Sequence, residues 1–256
     1  MAGRSHLDVI GIILAGGYGT RLYPLTRNVA KPLLKIRDKP IIDYIMERLL
    51  ELDLERILVA VNERFKGQFI EWLESRGYPN VELRVEPSRE EREKLGAIRG
   101  LSRLLDEIED DCVVVAGDNL FTSSLTGFKE FYLEKRAPVV GLYDIGDLDR
   151  VRQLSMAEID REGRIIRFVE KPENPTSTLV GIGVYMLPER SLKRVDEYLE
   201  EGNNPDSPGF FIQWLHRHEP VYGYVLKGYW WDIGTLEAYY EVKRFLEEAG
   251  NASKQA

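Results

Sequence analysis

A six-residue run, Val9-Ile10-Gly11-Ile12-Ile13-Leu14, passes directly into Ala15-Gly16-Gly17-Tyr18-Gly19-Thr20-Arg21-Leu22-Tyr23-Pro24-Leu25-Thr26, and this junction narrows the fold more than any other stretch. An apolar run without alternation suits a strand covered on both faces, as in a parallel sheet. The three glycines that follow let backbone N–H groups approach an oligophosphate without Cβ obstruction and take positive φ where needed. Arg21 and, farther on, Lys31 add fixed positive charge beside them. The loop is not a P-loop, because GxxxxGK[ST] is absent. Nor is it a dinucleotide fingerprint, whose third glycine would fall on Leu22 and whose helix would be well under way at Pro24.

The same strand–helix rhythm continues. Strands are predicted over Arg56–Val61, Val81–Glu86, Cys112–Gly117 and Pro138–Tyr143. Between them, Ile41–Leu52 places Ile41, Ile45, Leu49 and Leu52 on one helical face, and Phe65–Arg76 does so with Phe65, Phe69, Trp72 and Leu73. Repeated βαβ units follow from this pattern. After about residue 144 the rhythm changes to strand-like segments over Gln153–Asp160, Ile165–Glu170 and Leu179–Leu187, with a turn at Glu162-Gly163 between the first two. Helices over Glu189–Glu200 and Phe210–Arg217, a strand over Val221–Leu226 and a helix from Leu236 to Glu248 complete the pattern. The predicted architecture is α/β: a Rossmann-like mixed, mainly parallel sheet flanked by helices, with a smaller antiparallel lobe. It forms one domain whose parts run over 9–143, 144–235 and 236–256.

Composition limits the partners. With 35 Lys+Arg against 43 Asp+Glu the net charge is −8. No broad basic field is available for nucleic acid, so any anion site must be local. No apolar run approaches a membrane span and no secretory h-region is visible, which makes the cytoplasm the expected compartment. The one cysteine, Cys112, allows neither an intrachain disulfide nor a second sulfur ligand for zinc. Asn251-Ala252-Ser253 fits a glycosylation sequon but reads as a polar terminus.

The loop string AGGYGTRLYPLT, followed by Lys31-Pro32-Leu33-Leu34-Lys35-Ile36, resembles the signature of the sugar-1-phosphate nucleotidylyltransferases, the nucleotide-sugar pyrophosphorylases, in particular their glucose-1-phosphate thymidylyltransferase-like members. Further motifs of that family stand here in order as Gly117-Asp118-Asn119, Val169-Glu170-Lys171-Pro172 and Trp231-Asp232-Ile233-Gly234-Thr235. The resemblance spans roughly residues 9–245. It implies attack by a sugar-1-phosphate oxygen on the α-phosphorus of a nucleoside triphosphate, releasing pyrophosphate. A phosphate monoester with a second pKa near ~6 is already largely ionised at pH 7, so the nucleophile needs no general base. His6, His216 and His218 all lie outside the motifs. Electrostatic repulsion and in-line alignment remain to be solved, by cations and positioning.

From the resemblance, the nucleotide is expected along Leu14, Ala15, Gly16, Gly17, Gly19 and Thr20, with Glu86 and Gly96 at the base. Arg21, Lys31 and Lys171 are the expected catalytic cations, Lys171 holding the attacking sugar phosphate. Glu170, Ser155 and Gly183 are expected at the sugar. Asp118 and Asp232, 114 residues apart, each end a strand-like run and are expected to converge at a sheet edge on Mg²⁺. Trp230 and Trp231 read as core or rim aromatics.

Three positions depart from the family pattern. Glu86 stands where thymidylyl- and uridylyltransferases commonly have glutamine; an ionised carboxylate only accepts hydrogen bonds. Uracil and thymine offer one ring N–H, whereas guanine offers N1–H and an amino group together. Leu95-Gly96-Ala97-Ile98-Arg99-Gly100 matches the base-reading segment only at its first two residues, and Ser155 occupies a position where many relatives have glycine. The reading is a nucleotidylyltransferase acting on dTTP or UTP and glucose-1-phosphate. The alternatives are a mannose-1-phosphate guanylyltransferase and a non-catalytic regulatory relative. Its partners are the two substrates, and a homo-oligomer is compatible with the resemblance.

Overall fold

The computed structural model describes residues 9–252; His6 and Ser253 of the sequon lie outside them. The chain begins with β1 (Val9–Leu14), two 3-10 turns at Thr20–Leu22 and Lys31–Leu33, and a small hairpin of β2 (Lys35–Ile36) and β3 (Lys39–Pro40). There follow α1 (Ile41–Leu49), β4 (Ile57–Asn62), α2 (Lys66–Arg76), β5 (Val81–Glu86), α3 (Ala97–Leu105), β6 (Asp111–Ala116), β7 (Asn119–Phe121), α4 (Thr126–Lys135) and β8 (Val139–Asp144). The second half comprises α5 (Leu148–Val151), β9 (Ser155–Ile159), β10 (Ile165–Glu170), β11 (Leu179–Leu187), α6 (Glu189–Leu192) and α7 (Arg194–Glu200). It ends with α8 (Pro208–Leu215), β12 (Tyr222–Val225), β13 (Trp230–Asp232) and α9 (Leu236–Ala252).

Nine strands form one sheet in the order β10-β9-β11-β6-β1-β4-β5, with β8 against β11 and β12 against β8. β6, β1, β4 and β5 are mutually parallel, as the βαβ rhythm requires. The unalternated pattern of β1 has its explanation in the two cores: Val9 and Ile13 pack with α1, α2 and α4 on one face, while Ile10 and Ile12 pack with α3, α7 and α8 on the other. α1 buries Ile42, Ile45, Met46 and Leu49 against the first of these and Ile41 against a third cluster. This third cluster, including Leu22, Ile36, Leu120, Ile233 and Val242, lies beneath the small β7–β13 ladder and α9.

One expectation about the sheet needs correction. The segment Pro138–Tyr143 does not extend the parallel set, because β8 is separated from β6 by β11, which is antiparallel to both. The expected antiparallel lobe is present, β9 pairing antiparallel with β10, and it joins the main sheet at the first half of β11, whose Val180 and Gly181 pair with Met156 and Ser155. Periodicity identifies strands but is blind to neighbour order. The helix expected over Glu189–Glu200 is divided at Lys193, and the one expected from Ile41 to Leu52 ends in a 3-10 turn over Leu50–Leu52. Among the described residues, no helix is long and apolar enough to cross a membrane.

Candidate active site

The carboxyl ends of β1 and β6 lie side by side, Leu14 opposite Ala116, so the segments after them leave the sheet at one edge. Gly117 N–H donates to Leu14 O at 2.9 Å, and a Cβ on Gly117 would stand 2.8 Å from that oxygen. Only glycine permits so close a crossing. Of the three loop glycines, Gly19 alone takes a positive φ, 61°. A Cβ there would come within 3.1 Å of Lys31 Cβ, and Thr26 Oγ1 donates to Gly19 O at 2.7 Å. Gly17 borders open space, and Asn62 Nδ2 anchors the loop by donating to Gly16 O at 3.0 Å.

Asp232 reaches Asp118 by a different route from the one expected. It does not end a strand of the main sheet. It ends β13, which pairs antiparallel with β7 so that Asp232 faces Asn119, and Ile233 N–H donates to Asp118 O at 3.1 Å. Lys31 Nζ meets Asp118 Oδ2 at 2.7 Å. Burial opposes the charged form of Asp118, but the Lys31 ammonium, a backbone hydrogen bond and the Arg21 charge together outweigh it and hold the carboxyl below its ordinary value. Burial and the like charge of Asp118 push Asp232 up to about 6, with Lys31 and Arg21 pulling the other way. Arg21 and Asp232 both border Gly234: a Cβ there would lie 3.5 Å from the guanidinium and 3.1 Å from Asp232 Oδ2.

On the other side, the β9–β10 ladder sets Ser155 opposite Glu170. The Ser155 hydroxyl donates to Glu170 Oε2, Ser207 Oγ donates to Oε1 at 3.2 Å, and Glu170 N–H donates to Gln213 Oε1 at 2.8 Å. Ser155 therefore serves to hold Glu170. Lys171 takes φ 49°, and its N–H donates to Leu154 O at 2.8 Å. Its side chain is exposed and has no ion-pair partner among the described residues. Gly183, φ 69°, lies in the register shift of β11; Asn119 Nδ2 donates to the adjacent Ile182 O and leaves no room for a Cβ at 183.

At the far end of the cleft, Glu86 closes β5. Tyr18 OH donates to Ser88 Oγ at 3.1 Å, and Ser88 donates to Glu86 Oε1. Burial raises the Glu86 carboxyl above its ordinary value, while the Ser88 hydrogen bond and the Arg103 charge oppose the rise.

Every residue assigned above to catalysis, nucleotide, sugar phosphate or metal borders one cleft of about 710 Å³. Among the described residues, no three His, Cys, Asp or Glu side chains form a metal cluster. Sequence reasoning missed the positioning residues Asn62, Ser88, Asn119, Ser207 and Gln213. Asn119 had a signal, its place in the Gly117-Asp118-Asn119 triplet; the others become meaningful only through contacts distant in sequence.

Comparison with known proteins places the chain in a family. The family model described as nucleotidyl transferase matches residues 10–249. A glucose-1-phosphate adenylyltransferase from Rhodopirellula baltica is 29% identical, over 93% of this chain and 60% of its own length. A UTP–glucose-1-phosphate uridylyltransferase from Haloferax volcanii is 30% identical, over 68% of this chain and 70% of its own. This chain spans 53% of the bifunctional protein GlmU of Methanocaldococcus jannaschii, so it matches about half to 60% of several curated relatives. In fold, a UDP-glucose pyrophosphorylase complexed with UDP-glucose superposes with a TM-score of 0.81 at 22% identity, covering 94% of this chain and 98% of the other. A chain assigned as a glucose-1-phosphate thymidylyltransferase from Bacillus anthracis gives 0.82 at 24%, covering 93% and 94%. On the match over residues 10–249, the chain belongs to the nucleotidyl transferase family.

Proposed function

We propose that the cleft transfers a nucleotidyl group from a nucleoside triphosphate to a hexose-1-phosphate, with glucose-1-phosphate as the acceptor. The observation that carries this reading is the convergence of Lys31, Arg21, Asp118 and Asp232 beside a glycine loop, with Lys171, just after β10, lining the same cleft. In the reaction a sugar-phosphate oxygen forms a bond to the α-phosphorus as the α–β bridging P–O bond breaks, and pyrophosphate leaves with that electron pair. Backbone N–H groups from Gly16 to Thr20 hold the triphosphate, and Arg21 offsets the charge gathering on the leaving pyrophosphate. Lys171, free of any ion-pair partner among the described residues, holds the attacking phosphate in line. Glu170, fixed by Ser155, Ser207 and Gln213, accepts hydrogen bonds from sugar hydroxyls.

Asp118 and Asp232 suit Mg²⁺ by the chemistry of their donor set. Asp118 raises the protonation of Asp232, an unfavourable juxtaposition that a divalent cation would relieve, and a hard cation takes carboxylate, phosphate and water oxygens as ligands. A Mg²⁺ ion held by Asp118 and Asp232 would supply Lewis-acid neutralisation of phosphate charge. The retained charges support an active enzyme over a regulatory relative. Glucose-1-phosphate is supported by the names of the adenylyl- and uridylyltransferase relatives. Those names differ in nucleotide, and the resemblance favours dTTP or UTP.

The test is pyrophosphate release over a grid of dTTP, UTP, GTP, CTP and ATP against glucose-, mannose-, galactose- and N-acetylglucosamine-1-phosphate, with Mg²⁺ and with EDTA. EDTA-sensitive release with glucose-1-phosphate is expected. Silence throughout, from folded protein, would overturn the reading.

A further inference from the structure

We propose that the nucleotide end of the cleft is built for guanine, with the Glu86 carboxylate accepting from guanine N1–H and N2–H and Arg103 donating to O6. This rests on the proposed nucleotidyl-transfer reading and deepens it. The phosphate-handling groups and the sugar-side pair Ser155–Glu170 occupy two parts of the cleft, which leaves the arm between β5 and α3 for the base. Two bare positions converge there on one side chain. A Cβ at Gly16 would stand 3.6 Å from Glu86 Cδ, and a Cβ at Gly100 would stand 3.8 Å from Oε2. Gly100 lies inside α3, where glycine costs about 1 kcal/mol against alanine, so an open path to the carboxylate gives it a purpose. Arg103, one turn along the same helix, lines the cleft, is exposed, and has no ion-pair partner among the described residues.

The carboxylate is held in place. Ser88, buried and itself receiving the Tyr18 hydroxyl, donates to Oε1, which leaves Oε2 and the second lone pair of Oε1 for a ligand. Two adjacent acceptors require two adjacent donors. Guanine is the one common base with that edge, N1–H beside the amino group, and its neighbouring O6 is an acceptor that suits a guanidinium. Uracil and thymine set a single N–H between two carbonyl oxygens, so one oxygen would face a carboxylate oxygen. Adenine and cytosine pair one amino group with a ring-nitrogen lone pair, with the same conflict. A neutral carboxyl would instead present one donor and one acceptor, as a glutamine amide does, and Glu86→Gln builds that pattern as a control.

The experiment is calorimetric titration of the full chain, with Mg²⁺, by GTP, UTP, dTTP, ATP and CTP, alongside the pyrophosphate assay. GTP is expected to bind at least about tenfold tighter than any other triphosphate. Glu86→Gln should abolish that advantage and improve UTP and dTTP binding. If another triphosphate binds as tightly as GTP to the unaltered chain, the guanine assignment is overturned, and turnover with that triphosphate would leave the nucleotidyl-transfer reading intact. If GTP binds best but no sugar phosphate releases pyrophosphate, the transfer reading fails while the guanine site stands. If no triphosphate binds, both are overturned.

Discussion

Lys31 and Asp118 are 87 residues apart in the chain, yet Nζ and Oδ2 meet at 2.7 Å with the lysine only 6% exposed. A lysine this enclosed is held by its partner, because burying an unpaired ammonium is costly. The first links come from Gly19, whose bare α-carbon lets the Lys31 stem pack beneath the loop, and from Gly117, which brings Asp118 out beside it. The pair thus sets a cation directly below the phosphate loop.

Lys31→Met should cost stability as well as activity. Removing one partner of a buried pair costs roughly 3–5 kcal/mol; Asp118 is 34% exposed, so about 2 kcal/mol is expected in urea unfolding. Pyrophosphate release should fall at least about a hundredfold. Adding Asp118→Asn should restore part of the stability and none of the turnover. Unchanged stability in the single variant would show that the pair does not support the fold.

Asp232→Asn should act in the opposite sense on stability. Asp232 is enclosed beside Asp118, and the like charge is unfavourable until a cation arrives. Without metal the variant should be more stable than the parent by on the order of 1 kcal/mol, a trade of stability against function. Mg²⁺ should raise the melting temperature of the parent and leave that of the variant unmoved. Equal Mg²⁺ responses in a thermal scan would remove Asp232 from the metal site.

How much of this was legible beforehand differs between strand and site. β1, β5, β10 and β11 end where composition and turn residues predict, because a strand covered on both faces or in regular alternation carries its signal locally. Three-residue β7 and β13 carry no such signal, yet their ladder is what brings Asp232 to Asp118. The motif residues could be gathered by resemblance, but Ser155 reads as an added side chain beside the sugar until its Glu170 bond is seen. Asn62 and Ser88 are ordinary polar residues in the sequence; their roles exist only through Gly16 and Tyr18, 46 and 70 positions away.

His216 predicts a weak acid sensitivity remote from the cleft chemistry. Its Nδ1 is buried without a hydrogen-bond partner, and burial lowers its pKa below the ordinary 6.5. The unfolded chain then binds more protons than the folded one as pH drops below about 6.5, so stability present above that value is lost toward the lower folded pKa. At pH 5.5 the loss through this residue should reach at most about 1 kcal/mol. His216→Gln should flatten the difference between urea midpoints at pH 7.5 and 5.5 by that amount. An unaltered difference would show that the imidazole protonates without cost.

Gly209→Ala separates the sugar end of the cleft from the nucleotide end. Gly209 lies in the first turn of α8, and a Cβ there would fall within the contact envelope of both Glu170 Oε2 and Ser155 Oγ. The least costly response is rotation of the Glu170 side chain, since the obstructing oxygen is the end of a flexible group rather than backbone. That rotation breaks the Ser155 bond and withdraws the acceptor proposed for the sugar hydroxyls. The KM for the sugar phosphate should rise at least about fivefold, while triphosphate affinity, governed at Gly16 to Arg21 and Glu86, should stay within about twofold. Steady-state kinetics with each substrate varied in turn distinguishes the two. An equal loss for both would mean that α8 shifts as a body and that Glu170 is not the element at fault.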